Sequence, residues 1–205
     1  MLKKARIAVM VSGGGTNLQA LIDAERDGII KSGEIVLVLS NKPDAYALVR
    51  AKNAGIECAV VNKKECADRA EFEARIIEIL DSRGIDIIVL AGFMCILSGE
   101  FTSHYRDRII NVHPSLIPAF CGEGYYGLKV HEAALSYGVK VSGATVHIVN
   151  EIPDGGRILM QRAVEVVEGD TPESLQRRIM EEAEWKILPL SCELMCKDII
   201  DKKQK

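Results

Sequence analysis

The 205-residue sequence, with 48% hydrophobic residues and a formal net charge of -3, is long enough to bury a full core as one domain. Lysine and arginine are scattered, so no basic stripe predicts a nucleic-acid partner. The first apolar run is too short for a signal peptide, and the longest one, residues 85–97, contains Asp86. We therefore expect no membrane segment and a cytoplasmic protein.

The first predicted strand, residues 6–11, is followed by Ser-Gly-Gly-Gly-Thr-Asn at 12–17 and by an amphipathic helix from about Leu18. Glycines at the start of a helix let backbone N–H groups point at an anion with no Cβ in the way. The spacing matches neither the dinucleotide fingerprint nor the P-loop, so it favours a phosphate monoester as ligand. A plain tight turn is the alternative.

Strands and helices then alternate along the chain. Strands are predicted at 34–40, 57–62, 86–91, 108–112, 140–149 and 158–167, and helices at 44–53, 68–84, 129–136 and 171–196, the last kinked or interrupted at Pro189. This order predicts a single-domain α/β fold with a mostly parallel twisted sheet of about seven strands and helices on both faces. Ligands of such sheets bind beyond the carboxyl ends of the strands.

Asn111 and His113 alternate onto one face at the end of the strand predicted at 108–112, which Pro114 terminates. The amide can donate to an oxygen that becomes negative, and the imidazole can donate as imidazolium or carry a proton near neutral pH. The pair therefore suggests work on a carbonyl group, with capping of a turn as the alternative. The glycine- and tyrosine-rich segment 119–127 is either a mobile loop that closes over a ligand or an irregular connection.

The six cysteines occur at irregular intervals, without a Cys-x-x-Cys pair or a histidine at zinc-ligand spacing. This distribution predicts free thiols in a reducing compartment. Cys192 and Cys196 lie four residues apart on a predicted helix, where packing is favoured over a redox or metal role.

Two motifs carry a resemblance to a known family. Residues 143–149 (Gly-Ala-Thr-Val-His-Ile-Val), four further residues and 154–156 (Asp-Gly-Gly) fill every position of the signature G-x-[ST]-[IVM]-x-x-[IVM]-x(4)-D-x-G, and residues 111–115 form Asn-x-His-Pro-Ser. Over nearly its whole length the chain resembles the folate-dependent formyltransferases. Its 12–17 loop is similar to that of the phosphoribosylglycinamide formyltransferases, whereas methionyl-tRNA formyltransferases lack this loop and formyltetrahydrofolate deformylases carry an extra N-terminal domain.

The resemblance implies transfer of a formyl group from the cosubstrate 10-formyltetrahydrofolate to the amine of 5′-phosphoribosylglycinamide, in de novo purine biosynthesis and without a metal. It implies only small-molecule partners and a monomer or homodimer. The implied catalytic residues are Asn111, His113 and Asp154. The phosphate and ribose of the ribonucleotide are expected at Gly15, Thr16, Asn17 and Glu184. The folate is expected at Arg69, Met94, Cys95, Ile96, Leu97 and Asn111, although many relatives have arginine in place of Cys95.

In the implied mechanism, Asn111 and protonated His113 stabilise the oxyanion of a tetrahedral intermediate. Asp154 raises the pKa of His113 and guides a water that moves the proton. His147 is expected to be a hydrogen-bonded sheet histidine rather than a catalytic one. Residues 1–112 would form a Rossmann-like, phosphate-binding half and residues 113–205 the folate and catalytic half.

Three alternatives remain open at this point. The first is another enzyme of the same fold, either a formyltetrahydrofolate hydrolase or a different formyltransferase. The second is a sugar-phosphate-binding module without catalytic activity. The third, a nicotinamide-dependent oxidoreductase, is disfavoured because Ser40 and Asn41 stand where an acidic residue is expected after the second strand.

Overall fold

The computed structural model describes residues 4–203, which form one seven-stranded sheet flanked by helices. The strands are β1 (Ala5–Val11), β2 (Gly33–Ser40), β3 (Glu57–Val60), β4 (Ile87–Leu90), β5 (Ile109–His113), β6 (Val141–Ile148) and β7 (Ile158–Glu165). The α-helices are α1 (Thr16–Arg26), α2 (Tyr46–Asn53), α3 (Arg69–Ser82), α4 (Gly99–His104), α5 (Leu128–Tyr137), α6 (Pro172–Ile179) and α7 (Trp185–Lys203).

The strand order across the sheet is β3-β2-β1-β4-β5-β6-β7. The first five strands are parallel, and β6 and β7 run antiparallel to their neighbours. The chain moves outward from β1 to β3 and then returns to β4 on the other side of β1, so the strand order reverses between β1 and β4. That reversal opens a crevice at the carboxyl ends of the strands, where ligands bind in sheets of this kind. The predicted α/β fold is confirmed.

The alternation of side chains along β1 explains why both faces of the sheet are covered. Ile7, Val9 and Val11 belong to a core cluster that includes residues from α1, α2, α6 and α7. Ala8 and Met10 point to the opposite face, into a second cluster that includes residues from α3 and α4. From Ile7 to Val11 the strand is apolar at every position and is buried on both sides, as the continuous apolar run predicted.

The C-terminal helical region differs from the prediction. In place of one helix interrupted at Pro189, α6 ends at Ile179, a π-helical turn covers Met180–Glu184, and α7 continues past Pro189 to Lys203. In a regular helix a proline ring clashes with the carbonyl four residues earlier. For Pro189 that residue is Trp185, where the π-helical turn gives way to α7, so the helix type changes at the residue whose carbonyl the ring would meet.

The short helix α4 was not predicted, and its N-cap is Ser98, whose hydroxyl accepts from the Phe101 N–H. Within residues 4–203, no helix combines the length and apolar character needed to cross a membrane.

Candidate active site

A cavity of about 860 Å³ opens at the carboxyl ends of β4 and β5, beside the start of α1. The predicted site residues in its wall are Asn17, Met94, Cys95, Ile96, Leu97, Asn111, His113, Asp154 and Glu184. Gly15, Thr16 and Arg69 are not in the wall. Most of the residues predicted from separate parts of the chain therefore surround one space.

The pairing of β5 with β6 brings side chains from two motifs into one cluster. Asn111 lies opposite His147, and His113 lies opposite Thr145. The Asn111 Nδ2 donates to His147 Nε2 at 3.3 Å. His147 donates from Nδ1 to the Ile148 carbonyl at 2.9 Å, which leaves Nε2 as the acceptor in the neutral ring. His147 thus fixes the orientation of the Asn111 amide.

The Asp154 carboxylate completes this group, and we name Asn111, His113, His147 and Asp154 the catalytic cluster, for the role that we propose for three of them. Asp154 Oδ2 lies 3.5 Å from His113 Nδ1, and Oδ1 lies 3.4 Å from His147 Nε2. The backbone N–H of Gly122 donates to Oδ2 at 2.9 Å, so the 119–127 segment is tied to the carboxylate. The acid side chain points toward both imidazoles.

The glycines of the signature have steric explanations. A Cβ on Gly156 would lie 1.8 Å from the Ile148 carbonyl oxygen, and one on Gly143 would lie 2.1 Å from that of Arg162. Neither position can hold a side chain while β6, the Asp154 loop and β7 keep their packing. Asp154 itself has φ 55, a left-handed conformation that aspartate tolerates better than most residues.

The signature threonine acts as a hydrogen-bonding centre. Thr145 donates to the Ser115 carbonyl at 2.7 Å and accepts from the backbone N–H of Ile117 at 3.1 Å. Gln161 on β7 also donates to its hydroxyl, at 2.9 Å. These contacts hold the segment that leaves β5 directly after His113.

His113 is neutral in this arrangement. Its Nε2 lies 2.8 Å from the Phe120 carbonyl, which can only accept, so Nε2 carries the proton. Burial lowers the pKa of His113; the charge of Asp154 and the bond to Phe120 raise it but do not overcome burial. Nδ1 is then an unprotonated nitrogen beside Asp154. The expected effect of Asp154 on His113 is present, but it is not the dominant one.

Asp154 remains a carboxylate. Burial raises its pKa, but a hydrogen bond from His147, the positive charge that His113 carries once it is protonated, and the Gly122 N–H together outweigh burial and hold the pKa below its ordinary value. The cluster therefore pairs one fixed negative charge with a neutral imidazole that can take up a proton.

On the other side of the cavity, Asn17 and Glu184 form a second polar pair. Asn17 Nδ2 donates to Glu184 Oε2 at 2.7 Å and joins α1 to the π-helical turn. Burial raises the pKa of Glu184 to about 7, against the opposing effect of the Asn17 bond. Asn17 Oδ1 is buried without a hydrogen-bond partner within residues 4–203.

The glycine loop, residues 12–17, leads into α1 with no side-chain cap on the helix N–H groups. Gly15 is the N-cap with φ 73, and a Cβ there would lie 2.6 Å from the Ala47 Cβ. Gly13 and Gly14 have no neighbour within 4 Å of a built Cβ. The open side of the loop is therefore at Gly13 and Gly14, whereas Gly15 is required by its backbone conformation and its packing on α2.

The segment Met94–Leu97 follows β4 and exposes Met94 and Ile96. The backbone N–H of Met94 donates to the Ser12 hydroxyl at 2.8 Å, which ties the segment to the glycine loop. Cys95 accepts from the Asn41 amide at 3.1 Å. A ligand beside this segment would meet backbone groups other than the Met94 N–H.

Sequence reasoning missed the contacts of His147 with Asn111 and Asp154. The signal was present, because Thr145 and His147 are two residues apart in the strand predicted at 140–149 and therefore share a face of it. Placing that face against Asn111 and His113 required the register of β5 and β6. Within the described residues, no group of three His, Cys, Asp or Glu side chains could hold a metal ion.

The sequence and the fold of the chain are similar to those of known proteins. Residues 5–191 match the family model described as formyl transferase. The chain is 46% identical over 193 residues to the trifunctional purine biosynthetic protein adenosine-3 of Homo sapiens, covering 94% of this chain but only 18% of that relative. It is 44% identical over 185 residues to the phosphoribosylglycinamide formyltransferase of Haemophilus influenzae, covering 90% of this chain and 84% of the relative. The crystal structure of glycinamide ribonucleotide transformylase 1 from Symbiobacterium toebii superimposes with a TM-score of 0.89 at 42% identity, covering 95% of this chain and 89% of that one.

Proposed function

The chain belongs to the formyl transferase family, and we propose that it transfers a formyl group from 10-formyltetrahydrofolate to the amine of 5′-phosphoribosylglycinamide, in de novo purine biosynthesis. The product would be phosphoribosyl-N-formylglycinamide. The relatives named for this reaction, and the structural neighbour that shares nearly the whole fold, support the substrates. The observation that carries the chemistry is the convergence of Asn111, His113 and Asp154 on one cavity wall.

In the first step the substrate amine attacks the formyl carbon, and negative charge develops on the formyl oxygen. The Asn111 amide has two N–H groups, and His147 occupies one of them. The other donates to the oxygen as it becomes negative. Donors fixed before the reaction stabilise such a charge without reorganisation, and removing one typically raises the barrier by about 2.7–4 kcal/mol.

The attacking nitrogen becomes positive and must lose a proton. Because Nε2 of His113 already carries its proton toward Phe120, Nδ1 is the nitrogen that accepts, directly or through a water. The resulting imidazolium lies 3.5 Å from the Asp154 carboxylate, which stabilises it. His113 then returns the proton to the departing folate nitrogen as its bond to the formyl carbon breaks. In this proposal His113 is a neutral base that is protonated during turnover, whereas the sequence analysis expected a protonated His113 to donate to the oxyanion.

The substrates would approach the catalytic cluster from two sides. The ribonucleotide phosphate would lie against the open side of the glycine loop, near Gly15, Thr16 and Asn17, with its ribose at Glu184. The folate would lie along Met94–Leu97, with Arg69 at its outer end and Asn111 at its formyl group. In this proposal residues 1–112 supply the phosphate loop and residues 113–205 most of the catalytic groups, although the predicted folate contacts at Arg69 and Met94–Leu97 precede that boundary.

The decisive experiment follows the loss of 10-formyltetrahydrofolate by absorbance, with and without glycinamide ribonucleotide. Formyl loss that requires the ribonucleotide and yields its N-formyl product is the expected result. Loss without the ribonucleotide would identify a hydrolase, and no loss in either case would leave only a sugar-phosphate-binding module.

We also propose that the protein is cytoplasmic, has only small-molecule partners and acts without a metal, as a monomer or homodimer. Sedimentation at micromolar concentration would determine its oligomeric state.

A further inference from the structure

We propose that Glu73 is a positioning residue for the folate side of the site, because one buried carboxylate fixes both Arg69 and the end of the Met94–Leu97 segment. This inference rests on the proposed function, in which these two parts hold the folate. Glu73 does not line the cavity and would not touch a reacting atom. It would act through the two parts that it joins.

The contacts of Glu73 come from two elements that are distant in sequence. Its Oε1 accepts from Arg69 Nε at 3.0 Å and from the backbone N–H of Ser98 at 2.8 Å. Its Oε2 accepts from the Ser98 hydroxyl. Ser98 directly follows the Met94–Leu97 segment, so the carboxylate bridges α3 to the residue that ends that segment.

A pair on the same helix shows that Glu73 is more than an ordinary helical ion pair. Glu71 and Arg75 have the same i,i+4 spacing, and both side chains are substantially exposed. The Glu73 side chain is only 8% exposed. A buried carboxylate is costly unless it is paired and hydrogen-bonded, and Glu73 has three such bonds. Glu73 therefore joins α3 to a distant segment, whereas the Glu71 carboxylate bonds only Arg75 and the nearby Ala67 N–H among the described residues.

The ion pair leaves part of Arg69 available. Among the described residues, the hydrogen bond that Arg69 makes from its side chain uses Nε, and the side chain is 48% exposed. The two terminal nitrogens remain for an anion, and a guanidinium matches the geometry of a carboxylate. The chemical class that would meet them is the carboxylate tail of a folate.

The other end of the bridge is equally constrained. The Ser98 hydroxyl accepts from the Phe101 N–H at 3.1 Å while it donates to Glu73, and Leu97 is buried in the same core cluster as Phe72 of α3. Met94 and Ile96, by contrast, are exposed. The segment is thus anchored at its end and presents its middle to the cavity, so Glu73 determines where its backbone lies relative to Arg69.

The test is steady-state kinetics of Glu73→Gln with both substrates varied, together with direct binding of tetrahydrofolate by calorimetry. The variant keeps an oxygen for the Ser98 N–H but loses the charge that holds Arg69. We expect the KM for the formyl donor and the Kd for tetrahydrofolate to rise about 5- to 20-fold, with kcat and the ribonucleotide KM within about twofold. Glu71→Gln, which breaks the matched exposed pair on the same helix, should leave all four values within about twofold.

A double-mutant cycle with Arg69→Ala separates positioning from general damage. If Glu73 acts through Arg69, Glu73→Gln should weaken tetrahydrofolate binding much less in the Arg69→Ala background than alone. Full additivity, an unchanged folate Kd in Glu73→Gln, or an equal loss for both substrates would overturn the proposal. If Glu73→Gln does not fold, Ser98→Ala replaces it: a two- to threefold rise in the folate Kd is expected, and no rise would count against Glu73.

The wild-type controls distinguish this inference from the proposed function. Wild-type protein that binds tetrahydrofolate but shows no formyl transfer would contradict the reaction and leave Glu73 to be judged by binding alone. Active wild-type protein with an unaffected Glu73→Gln variant would contradict only the role of Glu73. Wild-type protein that does not bind tetrahydrofolate would overturn both.

Discussion

The glycine loop, which lies beside the cavity, offers an anion mainly backbone groups, whereas at β5 and β6 the cavity wall consists of buried side chains. The loop has open space at Gly13 and Gly14 and an uncapped helix start, so it can receive an anion without a charged side chain of its own. The catalytic cluster instead surrounds one carboxylate with two imidazoles, at distances of 3.4 and 3.5 Å from Asp154. The loop is therefore suited to holding a charge that the substrate brings, and the cluster to charges that appear during the reaction.

Removal of the charge of Asp154 should have the largest effect on the catalytic cluster. Asp154→Asn keeps the size of the side chain but cannot stabilise an imidazolium at His113, so we expect kcat to fall by about 10²- to 10⁴-fold. Ribonucleotide affinity, measured by calorimetry, should remain within about threefold because the glycine loop is unchanged. Asp27→Asn at the exposed end of α1 is the matched control. A variant at Asp154 with near-normal kcat would show that the carboxylate has no part in proton movement.

His131 is a buried histidine near the catalytic cluster, and we expect it to make the stability of the protein depend on pH. Burial, followed by the influence of His113, lowers its pKa to about 4 from an ordinary value of 6.5. The unfolded chain therefore binds more protons between these values, and stability should increase by about 3 kcal/mol as pH rises from 4 to 6.5. Urea unfolding of wild type and His131→Leu across this pH range measures this change in the free energy of unfolding. The variant should lack this part of the increase; identical slopes would contradict the assignment.

Glu184, beside the glycine loop, should have the opposite effect. Its raised pKa of about 7, against an ordinary 4.5, means that the folded protein binds more protons than the unfolded chain between these values. Its contribution is fully present below pH 4.5 and is lost as pH rises to 7, by up to about 3 kcal/mol. In Glu184→Gln this decline should disappear from the unfolding free energy. A decline that persists unchanged would show that Glu184 is ionised in the folded protein.

Substitutions at two neighbouring glycines should have the smallest effects, and their effects on stability should differ. Gly15→Ala should lower the unfolding free energy by about 1–3 kcal/mol, because alanine must adopt φ 73 and its Cβ meets Ala47. Gly14→Ala should change stability by no more than about 0.5 kcal/mol, since nothing lies within 4 Å, yet it should weaken ribonucleotide binding. Equal stability of the two variants would contradict the packing argument. Unchanged ribonucleotide KM in Gly14→Ala would place the phosphate elsewhere.

The glycine loop could be predicted from the sequence, whereas the contacts of the catalytic cluster could not, and the reason is physical. The strand, the glycines and the helix of the glycine loop are adjacent in the chain. Their spacing therefore predicts the loop whatever the rest of the fold is. The catalytic cluster, by contrast, is formed by residues that are distant in sequence. The contact of Asn111 with His147 depends on the register of two antiparallel strands, and a shift of one residue would turn every side chain to the other face.

The sequence by itself determined the alternation of strands and helices, the glycine loop and the motifs of the formyl transferase family, because these follow from residue periodicity and short-range spacing. Only the tertiary structure decided the neutral state of His113, the orientation of Asn111 by His147 and the bridge from Glu73 to Ser98. Each of these depends on burial or on a hydrogen bond between residues that are distant along the chain, and neither quantity exists before the chain is folded.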